Sequence, residues 1–303
     1  MMLLAGTVPL EDMPLVVGEV KTERGFLVAD GYRIPCMQGT GAMVSAALTA
    51  AEYLKLDPPQ VVLAGDTGQG KGSRSIYEYL IEKMPELSVG VLTLHYWLPD
   101  MALTRRLCDS IEKCKKRPIV IADAASMYSA KASGLGSQFD IFTPDATEMA
   151  FLADPDATHP AYIARHLFDT DVTQTPALIS AAYRQSGAAR LLLVKGAVDY
   201  VVADGDIVST ITDPDVPELE AIGGTGDTIT GLVSAFVYAG LELHEAAIIA
   251  ARVNRMAGKF AKVTPATKIQ QVVERFPDVF KEYLCSWSGV CCVDGVKEGV
   301  VND

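Results

Sequence analysis

Short apolar runs alternate with amphipathic stretches along most of this chain. Runs at residues 61–64, 89–94, 118–123, 140–143 and 191–194 read as buried strands. A glycine-rich turn follows the first of them, with a helix from about Ser73. Strands spaced by helices predict parallel βαβ units, with crossover helices on both faces of the sheet. Ligands of such sheets bind beyond the carboxyl ends of the strands. Asp66, Asp123, Asp145 and Lys195 fall there.

The pattern changes after Lys195. Residues 200–203 and 207–212 flank Asp204, Gly205 and Asp206, and Asp-Gly is a strong hairpin signal, so the sheet is expected to gain an antiparallel edge. Ile229, Leu232, Val233, Phe236 and Val237 form one helical face, and Ile249, Val253, Met256 and Phe260 mark a second helix. No internal repeat or low-complexity linker interrupts the chain. From about Lys268 the pattern breaks, and a helix with a peripheral tail is expected over 268–303. One α/β domain over 1–303, with its core at about 15–265, accounts for the whole.

The chain has 303 residues, 49% of them apolar, enough for an ample core. Its net charge of -12 argues against a nucleic-acid or anionic-membrane surface. A nest of backbone N–H groups can still hold phosphate in an acidic protein. The N-terminal stretch lacks a basic region and meets Glu11 and Asp12 early, and the apolar stretch at 229–241 is too short to span a bilayer. A soluble, cytoplasmic protein is expected. The cysteines form no CxxC, and the four histidines (His95, His159, His166, His244) lie far from the cluster of Cys285, Cys291 and Cys292. Reduced thiols fit better than a metal site.

The most informative segment is 221–231, where Gly223, Gly224 and Gly226 surround Thr225 ahead of Asp227 and the helix. Glycines admit positive φ and close backbone approach. The helix start then directs N–H groups and a positive dipole end into the turn, where charge on a transferred phosphoryl group is stabilised. Asp227 can serve as the base for a substrate hydroxyl in front of that phosphate. A plainer reading makes Asp227 or Thr225 an N-cap.

Gly224, Thr225, Gly226 and Asp227 resemble the GxGD signature of the ribokinase-like superfamily. Asp145 and Glu148 are similar to its N-x-x-E motif, which orders Mg²⁺; they also suit a capping box. The nearest branch in resemblance is the ATP/ADP-dependent NAD(P)H-hydrate dehydratases, the carbohydrate-kinase-related family. Lys21 to Gly25 is similar to its KGdrG opening, and Gly41 with the alanine-rich stretch at 46–51 to its early helix. The strand ending at Asp123 and Ala124 resembles its Asp-Ala strand. Lys195, Gly196 and Ala197 resemble its LKGA, and the stretch around Ala257 and Gly258 its H-x-x-A-G. The resemblance runs from about residue 20 to 262 and is specific in the last third. His is usual in the branch where Asp145 and Asn254 stand. Its G-P-G-x-G loop is set against residues 65–70, which lack the proline.

The resemblance implies a ribokinase-like three-layer fold, with ATP or ADP and Mg²⁺ over the turn at 224–227. Asp227 is the catalytic base; Gly224, Thr225 and Gly226 form the anion hole, and Lys195 and Gly196 join them on the nucleotide. Gly41, Gly68, Gly70, Asp123 and Asp145 face the second substrate, and Asp145 and Glu148 hold the metal. Lys195 read by itself is equally an edge-strand surface lysine. The second substrate is an NAD(P)H hydrate or another hydroxyl-bearing metabolite, so dehydratase and small-molecule kinase both stand; no helical lid segment is legible near the N-terminus, which favours the dehydratase. Homo-oligomerisation is an expectation on general grounds. Residues 65–73 nearly fit a P-loop with Asp123 as the metal acid, but Gly72 stands where the hydroxyl belongs. A degenerate nucleotide-binding protein would explain Asp145 and Asn254 but leaves no use for an intact Asp227.

Overall fold

Strands buried on both faces must be covered by helices on both sides. The computed structural model, which describes residues 1–23, 25–157 and 174–290, is built on that rule. Its strands are β1 (Met2–Val8), β2 (Val16–Glu23), β3 (Phe26–Ala29), β4 (Tyr32–Pro35), β5 (Gln60–Gly65), β6 (Val91–His95), β7 (Ile119–Ala122), β8 (Ile141–Phe142), β9 (Leu191–Val194), β10 (Asp199–Ala203) and β11 (Asp206–Ile211). They form one sheet in the order β11-β10-β9-β8-β7-β6-β1-β5-β2-β3-β4. The stretch from β9 to β5 is parallel, with antiparallel strands at both ends.

Successive side chains of each parallel strand enter opposite layers. Leu4, Leu63, Ile121 and Leu193 pack on one side, with helices α1 (Thr40–Tyr53), α7 (Thr225–Tyr238) and α8 (Leu243–Ala261). Leu3, Val62, Val120 and Leu192 pack on the other. That layer is covered by α2 (Lys71–Lys83), α3 (Met101–Ile111), α4 (Ala125–Ala132), α5 (Ala146–Ala153) and α6 (Thr175–Arg184). The expected hairpin is present, with Asp204 and Gly205 both at positive φ, as its tight turn requires. Among the described residues, no helix is long and apolar enough to cross a membrane.

Both ends of the chain depart from expectation. The expected core of 15–265 leaves out β1, which lies between β5 and β6 near the middle of the sheet. Gly6 and Thr7 interrupt its apolar run, and β2 follows it where β5, β6, β7 and β8 are followed by helices. At the other end, Phe276, Phe280 and Leu284 are buried in the layer of α1, α7 and α8. Their spacing of four is that of one helical face, so the expected helical segment packs into the core as far as Leu284. Cys36, Cys108 and Cys114 are free thiols as expected, whereas Cys285 is disulfide-bonded. Arg24, His159, His166, Cys291, Cys292 and the tail from 291 lie outside the described residues.

Helix α7 lies tight on α1 because Gly231 has no side chain. A Cβ there would sit 2.1 Å from the Met43 carbonyl oxygen and 3.0 Å from the Ala46 Cβ. Gly231→Ala is therefore expected to cost ~1–3 kcal/mol as overpacking. Urea unfolding checks this; an unchanged midpoint would contradict the packing.

Candidate active site

Gly224 enters α7 at φ +104°, a conformation that favours glycine, and no side chain caps this helix. The Thr225 hydroxyl instead donates to the carbonyls of Leu219 and Ile222, both at 3.1 Å. Asp227, in the first turn, turns its carboxylate away from its own helix. Oδ2 accepts the Gly39 N–H at 2.7 Å, and Oδ1 lies 3.0 Å from His95 Nε2. Neither residue is the N-cap of the plainer reading. The first-turn N–H groups of α7 have no intrahelical acceptors, and the helix start faces a cleft of about 330 Å³.

Asp123 follows β7 and is only 2% exposed. Lys195 Nζ lies 3.0 Å from both its oxygens, Thr230 Oγ1 donates at 2.5 Å and the Ala124 N–H at 2.8 Å. Burial alone would raise the Asp123 pKa, but Lys195 and His95 hold it well below the usual range. Burial would likewise lower Lys195, yet Asp123 first and then Glu148 and Asp227 push it up, so it stays an ammonium. His95 is completely buried; the carboxylates of Asp123 and Asp227 overcome desolvation and raise it to about 9. Gly226 leaves room for the lysine: a Cβ there would lie 3.3 Å from Lys195 Nζ.

Asp145 and Glu148 line the cleft beside Lys195 and form the expected capping box of α5. Tyr128 donates its hydroxyl to Glu148 Oε1 at 3.2 Å. Burial, then Asp145 and Asp123, push Glu148 up to about 8. An all-oxygen pair crowded by a further carboxylate suits a hard divalent cation such as Mg²⁺, whose charge would relieve this repulsion and let Glu148 ionise. His95, Asp123 and Asp227 also have ligand atoms within 4.8 Å of one another, but Lys195 already neutralises Asp123.

The cleft thus gathers Asp123, Asp145, Glu148, Lys195, Gly196, Thr225, Gly226 and Asp227. Three expected substrate-facing glycines lie elsewhere. Gly41 is buried, and its missing Cβ would sit 2.4 Å from the Pro35 carbonyl oxygen; Gly39, two residues earlier, is the one that reaches Asp227. Gly68 and Gly70 give their N–H groups to the Asp66 carboxylate at 3.0 Å, as do Gln69 and Ser73. Burial works against that ionised carboxylate, but these bonds hold it at about 2. The loop's own acid therefore occupies the donors a P-loop would offer to phosphate. The loop after β6, which carries Tyr96, lines the cleft together with the loops after β7, β8 and β9.

Spacing alone did not single out His95, Tyr96 or Arg255. Arg255 Nε binds Asp199 Oδ2 at 2.7 Å, and its Nη2 donates to the carbonyls of Gly196 and Ala197 at 2.8 Å, which fixes the turn after Lys195. Asn254 accepts the Thr228 hydroxyl at 2.8 Å and lines the cleft.

Because the folded chain raises the Glu148 pKa from 4.5 to about 8, ionising it is disfavoured by folding. Stability without divalent cations should fall as pH rises across that interval. Glu148→Gln should flatten this slope and melt higher than the parent at alkaline pH. Melting curves at acid and alkaline pH test this, and equal slopes would contradict it.

A family model described as NAD(P)H-hydrate dehydratase matches residues 98–275. An uncharacterized protein of Methanocaldococcus jannaschii is 34% identical over 242 residues, covering 80% of this chain and all of that protein. The chain spans about a third of the length of the bifunctional NAD(P)H-hydrate repair enzymes it also matches. Among solved structures, an ADP/ATP-dependent NAD(P)H-hydrate dehydratase of Bacillus subtilis, crystallised with ATP and Mg²⁺, superposes with a TM-score of 0.56 at 14% identity, covering 92% of this chain and 91% of that one. A ribokinase-like superfamily protein of Enterococcus faecalis gives 0.54 at 14% identity over 93% and 86%. The fold is ribokinase-like, and by its matched family model the chain belongs to the NAD(P)H-hydrate dehydratase family.

Proposed function

We propose that the protein is a nucleotide-dependent NAD(P)H-hydrate dehydratase, with Asp227 as its catalytic base. The observation that carries this reading is the Asp227 carboxylate, pinned through both oxygens at an uncapped helix start that opens on the same cleft as Lys195. The nucleotide, ATP or ADP, lies with its terminal phosphate against Gly224, Thr225 and Gly226. Lys195 and Gly196 flank it, and the N–H groups of α7 face the charge that builds up during transfer. Asp145 and Glu148 would hold Mg²⁺, which offsets charge on the phosphates. Asp123 keeps Lys195 charged and in place. A cytoplasmic location suits the nucleotide supply.

Asp227 accepts the proton of the hydrate's hydroxyl, and that oxygen attacks the terminal phosphorus in line. The bond from phosphorus to the nucleotide breaks, and the shortened nucleotide leaves with the electron pair. The carbon–oxygen bond of the new ester then breaks. Phosphate departs, the ring nitrogen supplies electrons, and the neighbouring carbon loses a proton to restore the double bond. A kinase would stop at the ester.

Asp227→Asn should lower turnover by at least ~10²-fold, with nucleotide affinity nearly unchanged. The assay is recovery of reduced-nicotinamide absorbance from hydrated NADH with Mg²⁺ and ATP, with ADP, and with neither. Recovery that ignores nucleotide, or an Asp227→Asn variant that turns over normally, would refute the reading. Ester accumulating on a sugar or vitamin alcohol would make the protein a kinase. Lys71→Ala should alter nucleotide affinity less than ~threefold, or ~0.6 kcal/mol, since its loop is closed on Asp66. Calorimetry with ADP checks this, and a large loss would return the P-loop to consideration.

A further inference from the structure

His95 ends β6 with no exposed surface, yet both its ring nitrogens are engaged. Nε2 faces Asp227 Oδ1 at 3.0 Å and Asp123 Oδ2 at 3.6 Å. Both are carboxylate oxygens, which only accept, so Nε2 carries a proton and donates it. On the other side, Nδ1 lies 3.1 Å from the hydroxyl of Thr40, which is 2% exposed. The start of α1 therefore grips the base twice: Gly39 holds Asp227 Oδ2 directly, and Thr40 holds the imidazole that holds Oδ1. Gly6, opposite His95 in the β1–β6 register, makes this possible, since a Cβ there would meet Thr40 Oγ1 at 2.7 Å.

We propose that His95 is a positioning residue for proton transfer, fixed by Thr40 and orienting the Asp227 carboxylate so that its remaining lone pairs face the cleft. This rests on Asp227 being the base. His95 also links Asp227 to the Asp123–Lys195 pair, so the base and the nucleotide-side cation belong to one buried chain of charges. The carboxylates raise the imidazole to about 9, which favours the donating form at neutral pH.

The first test needs no substrate. In protein carrying isotope-labelled histidine, His95 is identified by the signal lost in His95→Gln. It should show an Nε2 proton protected from solvent exchange at neutral pH, and that signal should move in Asp227→Asn. An unprotonated Nε2, or a signal indifferent to Asp227→Asn, would overturn the proposal.

The second test uses hydrated NADH with ADP and Mg²⁺. His95→Leu should lower kcat ~10–100-fold while the nucleotide KM and ADP affinity by calorimetry stay within ~threefold. His95→Gln, whose amide can donate from the same place, should recover most of the loss, and Thr40→Val should lose less than His95→Leu. Unchanged kcat in His95→Leu, or equal loss in the Gln and Leu variants, overturns the positioning role. If His95→Leu fails to fold, the Gln and Val variants and the Nε2 signal still decide. Normal turnover in Asp227→Asn would instead overturn the base assignment itself.

Discussion

The site depends on one constraint: Asp123, sealed from solvent, must keep its charge. An unpaired carboxylate at that depth would take up a proton. Lys195 from the end of β9 neutralises it, Thr230 from α7 donates to it, and His95 from the end of β6 approaches from the side. Three elements far apart in sequence are thereby tied to one side chain. Removing one member of such a buried set costs ~3–5 kcal/mol in other proteins, because its partner is left uncompensated. The same ties bring Lys195 and Asp227 to a common cleft.

The order of the chain serves that arrangement. Parallel strands end together at one edge of the sheet, so His95 and Asp123 emerge from the neighbouring strands β6 and β7, and Lys195 reaches Asp123 from β9, across β8. Helix α7 arrives from the opposite layer with its amino end toward them. Its glycines have distinct tasks: Gly224 makes the left-handed turn, Gly226 admits the lysine and Gly231 seats the helix on α1. Asp227 is then left with its carboxylate free to bond elsewhere than to its own helix.

Most of the parallel sheet and the glycine-rich turn were legible, because both are written in local spacing. Residues 191–194 and the Asp204-Gly205 hairpin lie where their pattern puts them. β1 was not, since Gly6 and Thr7 interrupt its apolar run and the chain goes on to another strand, not to a crossover helix. His95 escaped for a different reason. A histidine at a strand end carries no signal until Thr40 and Asp227 are brought beside it, and those contacts span 55 and 132 residues. Gly68 and Gly70 lie outside the cleft of Asp227, and their sequence did not show it, because a glycine loop looks alike whether it faces a ligand or binds the aspartate that precedes it.

On the proposed mechanism, the acceptor hydroxyl is phosphorylated in front of Asp227 and leaves as phosphate. Hydrated NADH labelled with heavy oxygen in that hydroxyl tests it directly, in one turnover with ADP or ATP and Mg²⁺. The label is expected in the inorganic phosphate released, in proportion to the NADH recovered. Label found in water, with unlabelled phosphate, would mean that dehydration bypasses phosphoryl transfer, and would contradict it.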